Sequence, residues 1–446
     1  MTIFNKKEAL TLFFGDTLFF YTALWLTLFA RYFTVPDRAV LLQHAIPFSI
    51  IFFVWVMVFF ISGLYEKQTL ILKSKLPSII FNAQVINSVI AVLFFYFIPY
   101  FGITPKTNLF VDLVFSFGLI VLWRLKVAPF LGVRRKQNAI LIGSGGEMEE
   151  LKKEVNENDR YILKFVSSID LNKIEGIDFS EEILPLIYRE NVSTVVIDTK
   201  DPKSETILPH LYNLIFSGVR FIDINKVYED IFDRAPFSLL KYNWFIENVS
   251  SSSRVVYGTL KRLMDIIISS VLAIFSLVLY PFAALAIKIE DGGPVFITQE
   301  RFGSGNRIIK ILKFRTMKTS DGGIWLTEGD SRITKTGAFL RKLRIDELPQ
   351  LWSVINGDLS LIGPRPDIVD LGKKLMREIP YYNVRYLIKP GLSGWAQIKQ
   401  DFPPQSVEET KRRLAYDLYY IKNRSFILDL KIALKTIKTL LSRTGR

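Results

Sequence analysis

Four long apolar blocks near the start of the chain most limit what it can fold into. They cover residues 9–30, 45–65, 76–98 and 109–130. Each approaches the roughly 20 residues that a helix needs to cross a bilayer. Half of the residues are hydrophobic, and their concentration into blocks is typical of a membrane protein. We therefore predict four transmembrane helices over residues 1–132.

Basic residues are unevenly distributed around these blocks. They precede the first block, lie between the second and third, and surround the end of the fourth: Lys6, Lys7, Lys67, Lys73, Lys75, Arg124, Lys126, Arg134, Arg135 and Lys136. The other two connections carry only Arg31 and Arg38, then Lys106. Because Lys and Arg accumulate on the cytoplasmic side, we expect both ends of this bundle in the cytoplasm. Asp16 lies inside the first block, where a carboxylate has a function, packs helices or lies at headgroup level.

The available residue types restrict both the partners and the chemistry. The net charge of +14, from 57 basic and 43 acidic residues, favours anionic partners. With the apolar blocks, this indicates a lipid bilayer, and we expect no nucleic-acid partner. The absence of cysteine excludes disulfides and thiolate chemistry. Both histidines, His44 and His210, precede the C-terminal half, so chemistry there must use carboxylates, Lys, Arg, Tyr or hydroxyls.

After Lys136 the pattern changes to short apolar runs that alternate with turns and helical segments. The first is NAILIGSGGEMEELKKEV at residues 138–155, and strand-like runs follow at 162–169, 192–198 and 219–224. This alternation predicts a Rossmann-like α/β domain with a parallel sheet over residues 137–245. Gly143 and Gly145 match the start of a dinucleotide fingerprint, but Met148 occupies its third glycine position. Nucleotide binding and a structural or regulatory role both stay open.

A further hydrophobic block follows a serine-rich linker. The linker is predicted over residues 246–258, with consecutive serines at 250–253, and the apolar block covers 263–287. Basic residues flank both ends of this block, and Pro281 removes a helical hydrogen bond inside it. We predict a re-entrant membrane helix over residues 259–290 that breaks at Pro281 and returns to the same face. A fifth simple span is the alternative.

Two adjacent carboxylates, Asp346 and Glu347, lie in one of the most basic parts of the chain. Residues 300–350 contain eleven Lys or Arg and six acidic residues. The pattern IDELPQLW predicts a helix start with Asp346 as N-cap and Pro349 in the first turn. A helix N-terminus also lowers a carboxylate pKa and keeps a nucleophile ionised. Adjacent carboxylates suit Mg²⁺ bound together with substrate phosphates, so the pair is either structural or catalytic.

Four motifs in one order give the chain a family resemblance. They are LKFRTM (312–317), RKLRIDELPQLWSVINGDLSLIGPRP (341–366), KPGLSGWAQI (389–398) and YDLYYIKN (416–423). Over about residues 261–446 the chain resembles the catalytic domain of the monotopic bacterial phosphoglycosyl transferases, which are polyprenyl-phosphate sugar-1-phosphate transferases. The preceding spans and α/β domain resemble the large members of this family. The resemblance implies an α-rich cytoplasmic catalytic domain over residues 291–446.

The resemblance implies a role for each candidate residue. Asp346 would attack the β-phosphate of a UDP-sugar, expel UMP and hold the sugar phosphate until undecaprenyl phosphate accepts it. Asp346 and Glu347 would hold Mg²⁺. The basic family positions are matched by Lys313, Arg315, Arg341 and Arg365, and each binds substrate phosphate or is chiefly structural. A UDP-hexose is favoured, with a UDP-N-acetylhexosamine as the alternative.

The resemblance also implies a location at the cytoplasmic face of the bacterial inner membrane. Family members carry a re-entrant helix broken at a Ser-Pro pair, whereas here Tyr280 precedes Pro281. The C-terminal run SFILDLKIALKTIKTLL is either an interfacial helix or a buried packing helix. A catalytically inactive scaffold and a nucleotide-sugar dehydratase are rival functions. The intact Asp346, Glu347 and Arg365 argue against the first and the incomplete glycine motif against the second, while dimerisation of the chain stays open.

Overall fold

The structure is a computed structural model. It describes residues 6–65, 76–98, 106–127, 136–158, 161, 163–173, 179–249, 255–318, 332–400 and 402–441. The chain divides into two compact units, Met1–Asp230 and Ile231–Arg446.

The first unit begins with four long helices. They are α1 (Lys6–Tyr32), α2 (Arg38–Ile61), α3 (Leu76–Phe97) and α4 (Lys106–Leu122), and a π-helical turn, Trp123–Val127, extends the last. All four are long and apolar enough to cross a membrane, and they occupy the four apolar blocks. Their core is strongly aromatic, with Phe20, Phe48, Trp55 and Phe59 fully buried. Lys67, Lys73, Lys75, Arg134 and Arg135 lie outside the described residues.

A buried ion pair joins α1 to the end of α4. Arg124 donates from Nε to Oδ1 of Asp16 at 3.0 Å and also pairs with its Oδ2. The Tyr65 hydroxyl donates to the same carboxylate at 2.7 Å, and Arg124 donates to the Leu64 carbonyl. A buried charge pair is tolerated when its remaining hydrogen bonds are satisfied. Of the interpretations of Asp16, these contacts support helix packing.

A parallel four-stranded sheet follows the four-helix bundle in the first unit. The strands β1 (Gln137–Gly143), β2 (Leu163–Asp170), β3 (Thr194–Ile197) and β4 (Arg220–Asp223) lie in the order β2-β1-β3-β4. All three pairings are parallel, as predicted. The accompanying helices are α5 (Gly146–Glu157), α6 (Leu184–Arg189), α7 (Leu208–Tyr212) and α8 (Ile224–Phe232).

The glycine turn after β1 leads directly into α5. Gly145 has φ of +85°, a backbone conformation that favours glycine. Met148, at the third position of the fingerprint, is 2% exposed. A core side chain therefore fills the position where a dinucleotide fingerprint needs a glycine. The Rossmann-like classification stays a prediction.

The boundary between the two units differs from the predicted end of the α/β domain at residue 245. The compact division falls after Asp230. Helix α9 (Tyr242–Asn248) buries Trp244 in a cluster that also contains Ala235 and Leu414. Because the apolar side chains of this segment find their partners in the C-terminal unit, the segment belongs there. Of the predicted linker, residues 250–254 lie outside the described residues.

The second apolar region forms a bent helix pair. Helix α10 (Val255–Leu277) and helix α11 (Tyr280–Asp291) meet at 52°. The break lies at Val278 and Leu279, whose N–H groups donate to carbonyls three residues earlier. Pro281 is in the first turn of α11, where its missing N–H leaves no helical bond unmade. The predicted break is present, and it lies just before the proline.

The rest of the second unit is largely helical. A hairpin of β5 (Phe296–Phe302) and β6 (Ile308–Phe314) is antiparallel, and short strands β7 (Ser360–Ile362) and β8 (Gly391–Ser393) pair in parallel. The helices are α12 (Lys335–Lys342), α13 (Gln350–Asn356), α14 (Val369–Glu378), α15 (Trp395–Lys399), α16 (Val407–Asn423) and α17 (Phe426–Leu441). The α-rich C-terminal region is as predicted.

Helix α17 buries one side and exposes apolar residues on another. Ile432 and Asp429 are buried, and Asp429 accepts hydrogen bonds from Tyr257 and Tyr420. Ile427 is 77% exposed, and Ile437 is also exposed. The helix therefore has a packing side and an exposed apolar side, and its interfacial role stays a prediction.

Candidate active site

The two adjacent carboxylates lie in a tight connection between α12 and α13. Arg344 adopts φ of +56°, and Ile345–Glu347 forms a 3-10 turn before α13 begins. Asp346 is buried in this turn, and Glu347 is partly buried. The prediction of Asp346 as N-cap is wrong. The separate turn intervenes, so the residue at the N-cap position of α13 is Pro349.

Asp346 has a buried carboxylate oxygen without a hydrogen-bond partner among the described residues. Its Oδ1 has no hydrogen-bond partner within the described part of the chain, and its residue is 8% exposed. Burial first, and then the adjacent charge of Glu347, raise the pKa of Asp346 to about 6, although Arg341, Arg344 and Arg365 act in the opposite direction. The expectation that the helix start lowers this pKa is wrong, because burial and a neighbouring carboxylate dominate.

Glu347 is held by two arginines. Nη2 of Arg365 donates to its Oε1 at 2.7 Å, and Nη1 of Arg344 lies 3.6 Å from the same oxygen. Burial disfavours the ionised form, but the guanidinium groups of Arg365 and Arg344 outweigh it and lower the pKa of Glu347. The two carboxylates therefore differ, with Glu347 ionised and Asp346 close to half-protonated at weakly acidic pH.

The predicted phosphate-binding residues have different contacts. Arg365 contacts Glu347 directly, and Arg341 donates from Nε to the Thr316 hydroxyl at 2.9 Å. Lys313 donates to the side chain of Gln299 at 3.0 Å. The structure thus places Arg365 at the carboxylate pair, and the charge of Arg341 is near enough to act on Asp346.

Arg315 has mainly structural contacts. Its guanidinium pairs with Asp291 at the end of α11 and donates to the Pro294 carbonyl at 2.9 Å. Gly293 packs against it so closely that a Cβ there would lie 2.5 Å from the guanidinium. These contacts fix the connection between α11 and β5. These contacts therefore support a structural role for Arg315.

A buried charge network, not foreseen from the sequence, supports the GPRP segment. Arg385 donates to the Arg365 carbonyl at 2.9 Å and pairs with Asp367 and Asp417. Arg413, Tyr382 and Tyr386 also donate to the carboxylate of Asp367. Burial acts against ionisation of Asp367, but Arg385 and Arg413 outweigh it and lower its pKa. The available signal was an aspartate directly after GPRP and another inside YDLYYIKN.

Sequence reasoning also missed Arg301 and the role of Arg344. Arg301 donates to the Pro366 carbonyl at 2.8 Å and to Gln299 at 2.6 Å. It thereby links β5 to the GPRP segment that carries Arg365. The signal for Arg344 was its place two residues before Asp346, within hydrogen-bonding reach of the next turn.

The first turns of helix α10 are bound to the same region. Arg262 donates to the carbonyls of Val354 and Ile355 at 2.6 and 2.7 Å, in the helix that follows the carboxylate pair. Asp265 accepts from the Ser360 hydroxyl at 2.7 Å. Charge-assisted hydrogen bonds of this kind hold geometry well. The candidate site is thereby attached to one arm of the bent apolar helix pair.

The carboxylate pair fits a magnesium ion by its chemistry. Among the described residues there is no cluster of three or more His, Asp or Glu that could hold a metal without a substrate. Mg²⁺ needs only one or two protein carboxylates when substrate phosphates supply further oxygens. Asp346 has an unpartnered oxygen and Glu347 is an ionised neighbour, so the two meet that requirement.

Comparison with known proteins supports the resemblance. A family model described as bacterial sugar transferase matches residues 256–443. A UDP-N-acetylgalactosamine-undecaprenyl-phosphate N-acetylgalactosaminephosphotransferase from Aeromonas hydrophila is 44% identical over 195 residues, covering 43% of this chain and 45% of the relative. A UDP-glucose:undecaprenyl-phosphate glucose-1-phosphate transferase from Caulobacter vibrioides is 40% identical, covering 42% of this chain and 72% of the relative.

A third relative matches a longer part of the chain. An undecaprenyl-phosphate glucose phosphotransferase from Komagataeibacter xylinus is 28% identical over 329 residues, covering 70% of this chain and 60% of the relative. The chain belongs to the bacterial sugar transferase family, the polyprenyl-phosphate sugar-1-phosphate transferases. The predicted family is confirmed.

Proposed function

We propose that this chain transfers a sugar-1-phosphate from a UDP-sugar to undecaprenyl phosphate. The observation that carries the proposal is the buried Asp346, whose Oδ1 is unpartnered among the described residues beside a Glu347 held by two arginines. A carboxylate without hydrogen bonds to its free oxygen keeps a lone pair available for attack. The names of the three relatives supply the substrate class.

In the first half-reaction, a carboxylate oxygen of Asp346 attacks the β-phosphorus of the UDP-sugar. The bond from that phosphorus to the bridging oxygen breaks, and UMP leaves with the electron pair. The product is a mixed anhydride between Asp346 and the sugar phosphate. The attacking group must be ionised, so this step requires a pH above the Asp346 pKa of about 6.

In the second half-reaction, a phosphate oxygen of undecaprenyl phosphate attacks the same phosphorus. The bond to Asp346 breaks, the carboxylate is regenerated, and a lipid pyrophosphate carries the sugar. One pyrophosphate linkage replaces another over the cycle, so we expect a nearly balanced equilibrium. A covalent intermediate between two substitutions predicts ping-pong kinetics.

In this proposal, basic side chains bind the substrate phosphates and neutralise their negative charge. Arg365 holds Glu347 and can reach a phosphate beside it, while Arg341 and Lys313 supply further positive charge. Mg²⁺ held by Asp346 and Glu347 would neutralise part of the diphosphate charge. Arg385 and Arg301 position the GPRP segment through hydrogen bonds to its backbone carbonyls. Arg315 contributes by fixing the adjacent connection.

The bent helix pair supports placement of the site at a membrane surface. A polyprenyl phosphate presents its headgroup at the interface, and a UDP-sugar is cytosolic. If α10 and α11 enter and return on the cytoplasmic face, the site attached to α10 reaches both substrates. The exposed Ile427 and Ile437 of α17 suit the same interface. We propose a location in the bacterial inner membrane with the catalytic region in the cytoplasm.

The three relatives are named for different sugars. The Caulobacter and Komagataeibacter proteins are named for glucose, and the Aeromonas protein is named for N-acetylgalactosamine. We propose a UDP-hexose as donor, with UDP-N-acetylgalactosamine as the second candidate because of the Aeromonas relative. UMP release from UDP-glucose, UDP-galactose and UDP-N-acetylgalactosamine, compared at equal concentration, decides between them.

The proposed reaction is tested by UMP release in membranes supplied with undecaprenyl phosphate and Mg²⁺. We expect the native protein and Asp358→Asn, a change at an exposed carboxylate, to release UMP, and Asp346→Asn to release it at least about 10³-fold more slowly. Full turnover by Asp346→Asn would reject the nucleophile. For the orientation, Lys374→Cys introduces a single thiol into a chain without cysteine. Labelling of that thiol from the periplasm would reject the cytoplasmic location.

A further inference from the structure

A stripe of polar residues runs along the buried face of α4. Asn108, Asp112 and Ser116 follow one another at intervals of four residues, which places them on one face of the helix. All three are at most 1% exposed inside a bundle of apolar and aromatic side chains. Buried polar groups in a membrane bundle are costly and mark functional positions.

The first and last residues of the stripe are satisfied by other helices. Asn108 accepts from Arg31 of α1, and its amide nitrogen lies 3.3 Å from Nε2 of His44 in α2. Ser116 accepts from Gln84 of α3 at 2.8 Å. Asp112 differs, because neither carboxylate oxygen has a hydrogen-bond partner in the part of the bundle that the structure describes.

Thr27 lies at the level of Asp112. Helices α1 and α4 are antiparallel, since Arg31 contacts Asn108 near one end and Asp16 pairs with Arg124 near the other. The next turn of each helix, counted from the Arg31–Asn108 contact towards the Asp16–Arg124 pair, brings Thr27 of α1 and Asp112 of α4 to the same level. Thr27 is fully buried, and its hydroxyl oxygen also has no partner within the described residues.

Asn87 reaches the same level from α3. The contact between Gln84 of α3 and Ser116 of α4 fixes the register of these two helices. One turn further along α3 lies Asn87, and one turn back along α4 lies Asp112. Asn87 is fully buried, and its amide nitrogen donates to Gln84 at 3.0 Å. Its Oδ1 is therefore turned away from Gln84, and it has no partner among the described residues.

Three helices thus bring four unsatisfied oxygens to one layer of the bundle: Thr27 Oγ1, Asn87 Oδ1 and both carboxylate oxygens of Asp112. The basic groups one turn away, Arg31 and His44, are engaged with Asn108. An uncompensated carboxylate in such a place costs several kcal/mol. Carboxylate, amide and hydroxyl oxygens are the ligands that hard cations prefer.

We propose that Thr27, Asn87 and Asp112 form a binding site for Na⁺ inside the N-terminal bundle. One carboxylate supplies one negative charge, so a monovalent cation neutralises the layer, whereas a divalent ion would leave a buried positive charge. The site lies about 9 Å along α4 from its first residue, at a rise of about 1.5 Å per residue. It is independent of the transferase chemistry proposed for the C-terminal unit.

The proposal is tested with the full chain in detergent micelles. Tm is measured while NaCl replaces N-methyl-D-glucamine chloride at constant ionic strength, because a ligand that binds the folded state raises Tm with its concentration. We expect a saturable rise with Na⁺ and one bound ²²Na⁺ per chain at equilibrium. K⁺ at the same concentration should give a smaller rise.

Variants separate this site from a general salt effect. Asp112→Asn should abolish both the Na⁺-dependent rise and ²²Na⁺ binding, and Thr27→Val should weaken Na⁺ affinity about tenfold. Thr27→Ser, which keeps the hydroxyl, and Ser116→Ala, one turn away in the same stripe, should respond like the native protein. If the native protein binds no ²²Na⁺ and Na⁺ acts like the organic cation, Asp112 is buried as a neutral acid and the proposal is wrong.

Discussion

Two buried aspartates of the C-terminal unit, Asp367 and Asp346, interact differently with the arginines around them. Asp367 accepts hydrogen bonds from Arg385, Arg413, Tyr382 and Tyr386. Asp346 keeps one oxygen without a partner among the described residues, although three arginines act on it. Full satisfaction fixes the first carboxylate as a structural support. The second is left able to form a new bond.

The pKa values of Asp367 and Asp346 differ in the same sense as their contacts. Burial raises the pKa of both carboxylates, but direct ion pairs with Arg385 and Arg413 outweigh it for Asp367 and lower its pKa. For Asp346, burial and the Glu347 charge outweigh Arg341, Arg344 and Arg365 and raise the pKa to about 6. Direct ion pairs therefore keep Asp367 ionised, whereas the pKa of Asp346 lies near 6.

The largest expected effect is on turnover. Asp346→Asn keeps the shape of the side chain but removes the nucleophile, so UMP release should fall by about 10³-fold or more. Thermal unfolding at pH 8 should show a Tm no lower than that of the native protein, because the substitution removes a buried, unpaired charge. A variant that loses activity together with Tm would point to a structural role instead.

The support network should respond in stability. Arg385→Met leaves Asp367 and Asp417 without their shared partner, and we expect a loss of about 3 to 5 kcal/mol in the free energy of unfolding. Urea unfolding followed by tryptophan fluorescence measures it. Arg377→Met, at an exposed position in α14, is the matched control and should change little. A loss below about 1 kcal/mol for Arg385→Met would contradict the structural assignment.

The pH dependence of the first half-reaction should report Asp346. Its pKa of about 6 places the acidic limb of UMP release near that pH, with activity lost as pH falls and the carboxylate becomes protonated. Glu347→Gln removes a negative neighbour and frees the arginines to act on Asp346, so both effects lower the pKa. The residual activity of this variant should therefore persist to lower pH. A limb that stays in place, or moves upward, would show that another group titrates.

The smallest effect is expected at Arg315. Arg315→Met removes the contacts to Asp291 and Pro294, and we expect a loss of about 1 to 3 kcal/mol in unfolding free energy. Lys313→Met, two residues earlier in β6, should instead raise the KM for UDP-sugar with little change in Tm. A larger KM effect for Arg315→Met than for Lys313→Met would reverse the roles assigned to these two residues.

Much of the architecture could be predicted because its signals are local. Block length alone indicates the four bundle helices, and Pro281 indicates the break between α10 and α11. The adjacency of Asp346 and Glu347 pointed to the site. The alternation of strands and helices indicated the parallel sheet.

The rest depends on contacts between distant parts of the chain. Arg385 meets Asp367 and Asp417 only because three separate segments pack together. The 3-10 turn before α13 moves Asp346 away from the N-cap position, which a capping pattern does not reveal. The boundary after Asp230 follows from apolar partners in the C-terminal unit, and the unsatisfied oxygens of Asp112 follow from the register of three helices.

The most direct test of the central claim is a single-turnover experiment without lipid acceptor. Purified protein, Mg²⁺ and UDP-sugar are mixed, UMP is measured, and the peptide containing Asp346 is analysed by mass spectrometry. We predict a burst of one UMP per chain, a sugar phosphate on Asp346, and its release when undecaprenyl phosphate is added. UMP formation only in the presence of undecaprenyl phosphate, with Asp346 never modified, would contradict the covalent mechanism.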